Sequence, residues 1–193
     1  MTQDTLMMIE TEDTPNPATL KFLPGRDVTG TRPSVDFAEA GLVAGRSALA
    51  DALFGMGDVK RVFLGRDFVS VTKDDAADWS ALRPRILVTL TDFFKEGQPA
   101  LTGEIAAPEA DISPEDAEIV AQVKELLDTR VRPAVASDGG DIVFRGYREG
   151  VVYLSMQGAC SGCPSSRATL RHGVENMLRH YVPEVTAVEP VEE

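Results

Sequence analysis

The sequence predicts an α+β protein of two small domains, the second with the element order α-β-β-α-β, a three-stranded sheet and both helices on one face. Of its 193 residues, 43% are hydrophobic and 26% are charged, which is enough for one ordinary core or two small ones. A segment rich in Gly, Pro and small residues, 96–113, interrupts the apolar periodicity and indicates a linker. On both sides of this segment, short apolar runs alternate with helical stripes. The predicted domains are therefore 1–95 and 114–190.

Turn residues and apolar spacing define the expected elements of the first domain. The prolines of Thr14-Pro15-Asn16-Pro17 separate two strands, and Gly65-Arg66-Asp67 has the length of a hairpin connection. Asp78 is an N-cap candidate for a helix whose apolar residues recur every three or four positions up to Phe93. The expected elements are strands Leu6–Glu10, Ala18–Leu23, Val59–Leu64 and Phe68–Thr72, and helices at 47–54 and about 78–93.

The second domain begins at Ser113, an N-cap candidate followed by Pro114 at the first helical position. We expect this helix to end at Pro133, because proline interrupts helical hydrogen bonding. Two strands joined by a tight turn at Glu149-Gly150 follow, then a helix that stops before Pro183. The expected strands are Asp141–Tyr147, Val151–Met156 and Val185–Val188.

The charge of the chain excludes several classes of partner. Its 31 acidic and 19 basic side chains give a net charge of -12, which repels phosphate backbones and anionic lipid. Nucleic acid and membrane surfaces are therefore not expected partners. No apolar run approaches the length of a membrane span, and the start of the chain lacks the features of a signal or transit peptide. We expect a reducing cytosolic location, while a mature organellar form without its presequence stays open.

The two cysteines of the chain, Cys160 and Cys163, lie in one short loop between a predicted strand and the last predicted helix. Gly158 and Gly162 allow the backbone to bend closely there, and Pro164 suits the first helical turn. The N-terminus of a helix favours thiolate over thiol, because it offers free N–H groups and partial positive charge. We expect both thiols to face solvent and to serve in metal ligation or redox chemistry.

Three interpretations of this loop compete. The first is a loop with two incidental cysteines, which is disfavoured because free cysteines are seldom paired in a glycine-flanked loop. A thiol-disulfide oxidoreductase is the enzyme alternative, since a C-x-x-C motif before a helix is also typical of thioredoxins. The predicted α-β-β-α-β order, however, lacks the βαβ unit that precedes the motif in those proteins. Metal binding is the third interpretation.

The number of available ligands decides what form a metal site takes. Zinc and iron-sulfur clusters use about four protein ligands, whereas one chain supplies two thiolates. His172 and His180 do not have the spacing of zinc ligands and are expected to be ordinary helix residues. A second copy of the chain, related by a two-fold axis, would complete a set of four thiolates for a 2Fe-2S or 4Fe-4S cluster. A zinc-bridged dimer is a further alternative.

Several spaced motifs occur in order in each half of the chain. Those of the second half are Leu126-Leu127-Asp128-Thr129-Arg130-Val131-Arg132-Pro133, Asp138-Gly139-Gly140-Asp141-Ile142, Gly158-Ala159-Cys160-Ser161-Gly162-Cys163-Pro164-Ser165-Ser166, Thr169-Leu170 and His180-Tyr181-Val182-Pro183-Glu184-Val185. Those of the first half are Thr14-Pro15-Asn16-Pro17-Ala18-Thr19-Leu20-Lys21-Phe22 and Val62-Phe63-Leu64-Gly65-Arg66-Asp67-Phe68-Val69-Ser70-Val71. With these motifs the sequence resembles the Nfu-type iron-sulfur cluster scaffold and carrier proteins: the second half resembles their NifU-like domain, and the first half resembles the N-terminal domain of two-domain members.

This resemblance implies a non-enzymatic carrier. It implies a 4Fe-4S cluster, or a 2Fe-2S cluster, bridged between two chains by the residues at Cys160 and Cys163. The implied partners are a second copy of the chain, the cluster assembly machinery and apo iron-sulfur client proteins. The resemblance and the absence of a presequence together favour a bacterial cytoplasmic location.

Other residues of the matching motifs have ordinary structural explanations. Gly139 and Gly140 suit a turn that needs positive φ, with closeness to the cluster as the second explanation. Arg167 and Arg171 are expected on a solvated helix face, although they are near enough to the loop to steer an anionic cluster or a client.

Overall fold

The computed structural model describes residues 8–102, 112–162 and 164–191, with the side chains of all of these except 164–166. The chain divides into two compact units, Met1–Ile105 and Ala106–Glu193. Within the described residues, no helix is long and apolar enough to cross a membrane.

The first unit is an antiparallel sheet of five strands in the order β1-β2-β5-β4-β3, covered on one face by two helices. The strands are β1 (Glu10–Asp13), β2 (Thr19–Leu23), β3 (Val35–Phe37), β4 (Val59–Leu64) and β5 (Val69–Lys73), and the helices are α1 (Ala48–Phe54) and α2 (Trp79–Lys95). Because side chains alternate along each strand, Phe22, Val62 and Val71 point to the same face and pack against Leu53 and Ile86 of the helices.

Both helices of the first unit begin at the side-chain caps that favour helix starts. The Asp78 carboxylate accepts a hydrogen bond from the backbone N–H of Ser80 at 2.7 Å, as the sequence predicted. The Ser47 hydroxyl oxygen accepts from the N–H of Ala50 at 3.0 Å and donates to the carbonyl oxygen of Ala100 at 2.6 Å. Ser47 therefore caps α1 and also fastens a later segment of the chain.

That later segment belongs to the predicted linker, yet it packs on the first unit. Ala100 and Leu101 are buried in the first core. Arg32 donates to the carbonyl oxygen of Leu101 at 2.9 Å, and the N–H of Thr102 donates to Arg46 at 2.8 Å. The first unit thus extends at least to Thr102, and residues 103–111 of the predicted linker lie outside the described residues.

The turn at residues 14–19 is closed by its own hydrogen bonds. The Thr14 hydroxyl donates to the carbonyl oxygens of Asn16 and Thr19, each at 2.9 Å. The Asn16 side chain accepts from the N–H of Ala18 at 3.0 Å, and Asn16 is buried. These hydrogen bonds are sufficient to explain the proline-rich motif of this turn as a structural feature.

The second unit is a three-stranded sheet in the order β6-β7-β8, with its helices on one face. The strands are β6 (Gly140–Arg148), β7 (Val151–Gly158) and β8 (Ala187–Pro190), and the helices are α3 (Ala117–Leu126), α4 (Arg132–Ser137) and α5 (Pro164–Tyr181). Strands β6 and β7 are antiparallel, whereas β8 runs parallel to β7. The core joins Val123 of α3 and Leu178 of α5 to Ile142 and Leu154 of the sheet.

The predicted end of the first helix at Pro133 is wrong. A π-helical turn, Leu127–Val131, connects α3 to α4, and the chain stays helical to Ser137. Pro133 is tolerated because it is the second residue of α4, where the missing N–H removes little hydrogen bonding.

The α+β class and the α-β-β-α-β order are confirmed. Three details differ from the expectation. Strand β1 begins at Glu10, whereas the predicted strand Leu6–Glu10 ended there and lies partly outside the described residues. Strand β3 was missed, because three residues are too few to show alternation. The last strand starts two residues later than predicted.

Candidate functional site

The candidate site is the loop that leads from β7 into α5. The strand ends at Gly158, a 3-10 turn spans Ala159–Ser161, and the helix starts at Pro164. Cys160 lies in the middle of the 3-10 turn. Cys163 falls outside the described residues.

Glycine is required at Gly158, where the chain leaves the strand. Its φ of 66° and ψ of -137° belong to a region that residues with a Cβ rarely adopt. The Ser161 hydroxyl donates to the Gly158 carbonyl oxygen at 2.7 Å, and the N–H of Ala159 donates to Gly139 at 3.1 Å. The start of the loop is therefore tied to the residues that precede β6.

The expectation of a solvent-facing thiol is wrong for Cys160. Only 8% of its surface is exposed, and it belongs to the core of the second unit, which also includes Ile142 and Met156. A free cysteine behaves as a small apolar side chain in such a place. The burial arises because the 3-10 turn folds back over the start of β6.

Gly140 is the residue that makes room for Cys160. A Cβ at this position would lie 2.8 Å from the Cys160 Sγ and 2.6 Å from the backbone carbonyl oxygen of Gln157. Both distances are shorter than real Cβ contacts, so no other residue fits without a displacement. Gly139 serves differently, because its φ of 81° makes the turn that the sequence predicted.

An ion pair that the sequence analysis missed holds the next residue of β6. The buried carboxylate of Asp141 accepts two hydrogen bonds from the Arg132 guanidinium, both at 2.8 Å, and one from the N–H of Ile142 at 2.8 Å. Arg132 also donates to Asp128 at 2.9 Å. The hydrogen bonds to Asp141 raise the pKa of Arg132 above its ordinary value. These contacts fix the strand end on which Cys160 rests.

The surroundings of Cys160 favour the protonated thiol. Burial raises its pKa to about 12, and the negative charges of Asp138 and Asp141 add to the shift. Because metals bind the thiolate, ligation by Cys160 requires loss of this proton.

The remaining candidate residues lie on α5. His172 and His180 are exposed, and the ring of His180 contacts Tyr181 edge to face at 4.9 Å. Arg167 and Arg171 are half-buried, so neither lies on a fully solvated face. In the part of the chain that the structure describes, no three His, Cys, Asp or Glu side chains converge to hold a metal ion.

Two family models match the chain, one in each unit. The model of the scaffold protein Nfu/NifU N-terminal domain matches residues 9–97, and the model of the NifU-like domain matches residues 123–189.

Similar proteins match over most of the chain. The NFU1 iron-sulfur cluster scaffold homolog of Drosophila sechellia, a mitochondrial protein by its name, is 51% identical over 96% of this chain, which spans 65% of that protein. The human protein of the same name is 50% identical over 96% of this chain, which spans 72% of it. A solved NifU-like protein from Saccharomyces cerevisiae is 29% identical, covering 54% of this chain and 92% of its own, with a TM-score of 0.48.

The expectation of a bacterial cytoplasmic location is contradicted by this comparison. The relatives that match over nearly the whole chain are named as mitochondrial proteins. The start of the chain, on which the predicted location depended, does not distinguish the two compartments.

Proposed function

Because the chain belongs to the family of Nfu and NifU iron-sulfur cluster scaffold proteins, we propose that it binds an iron-sulfur cluster as cargo and delivers it to apo-proteins. One observation carries the proposal: the only two cysteines of the chain lie three residues apart in the glycine-flanked loop of the NifU-like domain. The proposed partners are apo iron-sulfur proteins and the machinery that assembles clusters.

We assign Cys160 and Cys163 as the ligands that each chain supplies. Four thiolates are the usual ligand set of 2Fe-2S and 4Fe-4S clusters, so two chains are needed to hold one cluster. We favour a 4Fe-4S cluster bridged between two copies of the chain. A cluster held by two bonds to each protein, at the boundary between subunits, is suited to transfer.

The thiol-disulfide oxidoreductase remains the alternative that an experiment must exclude. Such enzymes attack with an accessible thiolate of lowered pKa. Cys160 is buried and its pKa is raised, which disfavours thiolate attack and metal ligation alike in this conformation. The similarity to named cluster scaffold proteins is what supports the carrier over the oxidoreductase. No catalytic residue is assigned.

The test is anaerobic reconstitution of the full chain with iron and sulfide, followed by iron analysis and by incubation with an apo-ferredoxin. We expect about two irons per chain for a bridged 4Fe-4S cluster or about one for a 2Fe-2S cluster, and recovery of the ferredoxin cluster. Cys160→Ser and Cys163→Ser should each lose the iron.

The matched control is His172→Ala, which removes an exposed potential ligand from the same unit. It should keep the full iron content. Stoichiometric iron in the double cysteine variant would contradict the ligand assignment, whereas turnover of a disulfide substrate by metal-free protein would favour the oxidoreductase.

A further inference from the structure

We propose that Gly140 is a positioning residue that seats Cys160 in a closed state of the loop, from which the thiol must move outward before it can bind a cluster. This inference rests on the proposed function, because it concerns one of the assigned ligands. Cluster loading then includes an opening step, and Gly140 determines where the Cys160 thiol lies before that step.

The geometry of the closed state is specific. Cys160 occupies the space that any side chain at position 140 would need, since its Sγ lies 2.8 Å from where a Cβ would stand. The same Cβ would lie 2.6 Å from the Gln157 carbonyl oxygen, on the strand that pairs with β6. The seat is therefore a notch between two paired strands, and it accepts a sulfur atom only because residue 140 has no side chain.

Contacts on either side hold this notch in place. The N–H of Ala159, next to Cys160, donates to the Gly139 carbonyl oxygen, and the Arg132 guanidinium binds the Asp141 carboxylate through two hydrogen bonds. Both flanks of Gly140 are thus fixed, one to the loop and the other to α4. The Arg132–Asp141 ion pair holds the strand end, so opening is a movement of the loop that breaks the Ala159–Gly139 hydrogen bond.

A cluster shared by two chains must reach the sulfur of each from outside. With 8% of its surface exposed, Cys160 does not offer its sulfur to a ligand that a second chain holds at the same time. Gly158 and Gly162 flank the 3-10 turn and are the positions that most readily absorb a change in φ and ψ. The closed state protects the thiol when the protein carries no cluster.

The experiment uses the full chain with Cys163→Ser, in which Cys160 is the only thiol. Its rate of alkylation by iodoacetamide is measured in folded protein and in urea-unfolded protein at the same mildly alkaline pH. We expect the folded protein to react at least about tenfold more slowly, because the thiol reacts through a local opening. Equal rates would overturn the proposal without bearing on cluster binding.

Gly140→Ala in the same background tests the seat. The added methyl group cannot share the notch with the sulfur, so alkylation of Cys160 should become about tenfold faster or more. Unchanged protection would overturn the role of Gly140. If this variant fails to fold, the comparison of folded with unfolded protein decides alone.

Two glycines of the same unit provide controls for loss of stability. Gly150→Ala introduces strain at a φ of 84° and a clash with Thr186, but it lies at the other end of the hairpin, about 25 Å away. Gly146→Ala is on β6, where the nearest atom, of Tyr153, lies 4.0 Å from the added Cβ. Neither should change the alkylation rate of Cys160. A rate increase in Gly150→Ala equal to that in Gly140→Ala would show that general destabilisation explains the effect, and would overturn the proposal.

Discussion

Two turns of this protein look alike in sequence and differ in structure. The turn at residues 14–19 of the first unit and the loop at residues 158–162 of the second are both short, rich in Gly or Pro, and part of a family motif. In the first turn, the hydroxyl of Thr14 and the amide of Asn16 bind the backbone of the turn itself. In the second, a thiol lies in a notch that exists only because Gly140 lacks a side chain.

The turn at residues 14–19 stabilises the fold, whereas the loop at residues 158–162 has the features of a functional site. Hydrogen bonds within the first turn give Thr14 and Asn16 a structural role. The loop combines a glycine at positive φ, a close approach of sulfur to backbone and a buried ionisable thiol. Such features are unfavourable for stability alone and are typical of functional sites.

The largest effect is expected for Arg132→Ala. This change removes both guanidinium hydrogen bonds from the buried Asp141 carboxylate, which keeps the hydrogen bond from the N–H of Ile142. We expect a loss of about 2–3 kcal/mol in the free energy of unfolding, below the range for a fully buried pair because Arg132 is partly exposed. Asp128→Ala removes only the exposed contact of the same arginine and should change the free energy of unfolding by less than about 1 kcal/mol. Equal effects in a urea titration would contradict the role given to Asp141.

Paired glycine substitutions compare the two units at positions where φ is positive. Gly158 has a φ of 66° and Gly57, after α1, has a φ of 80° with open space around it. Alanine at either position should destabilise the protein by about 1–2 kcal/mol. Only Gly158→Ala should lower the iron content after reconstitution, because only it displaces the loop. A similar loss of iron in Gly57→Ala would break the distinction between the units.

The pH dependence of stability tests the burial of Cys160. Its pKa is about 12 in the folded protein, raised from an ordinary value of 9.0. Because the folded state holds the protonated thiol more tightly than the unfolded state does, this contribution to stability is complete below pH 9.0. It declines as the pH rises from 9.0 toward 12. The wild-type chain should therefore lose up to about 1.4 kcal/mol per pH unit more than Cys160→Ala does above 9.0. Other titrating groups, such as Tyr147, are common to both chains. Parallel urea titration curves would show that the thiol is not buried.

The smallest effect is expected for Thr14→Ala. Loss of the hydroxyl removes its hydrogen bonds to the turn and should reduce the free energy of unfolding by about 1 kcal/mol. The iron content and the rate of transfer to apo-ferredoxin should stay unchanged. A defect in transfer with normal iron content would show that this turn contacts clients.

Local signals were sufficient to predict most elements of the fold. Asp78 is an N-cap with a matching apolar stripe, and Glu149-Gly150 is a tight turn between apolar runs, so both follow from neighbouring residues. The predicted helix end at Pro133 is wrong, because a proline ends a helix only where its N–H is needed. The π-helical turn before it has no simple sequence pattern.

The site was predictable in its residue types but not in its packing. The spacing of Cys160 and Cys163 and the flanking glycines indicated ligation without any structure. The contact of Cys160 with Gly140 joins residues twenty positions apart, and the pair of Arg132 with Asp141 joins a helix to a strand. Such contacts depend on how the sheet and the helices pack together, and the hydrophobic periodicity of the sequence does not predict that packing. Gly139-Gly140 carried part of the signal, since only one of the two glycines is needed for the turn.

The proposed function requires that each chain supply half of the ligands of a shared cluster. Native mass spectrometry of the anaerobically reconstituted full chain, with no added thiol, measures this sharing. We expect a dimer that carries one cluster and returns toward the monomer when a chelator removes the iron. A monomer that carries a complete cluster would rule out the shared site.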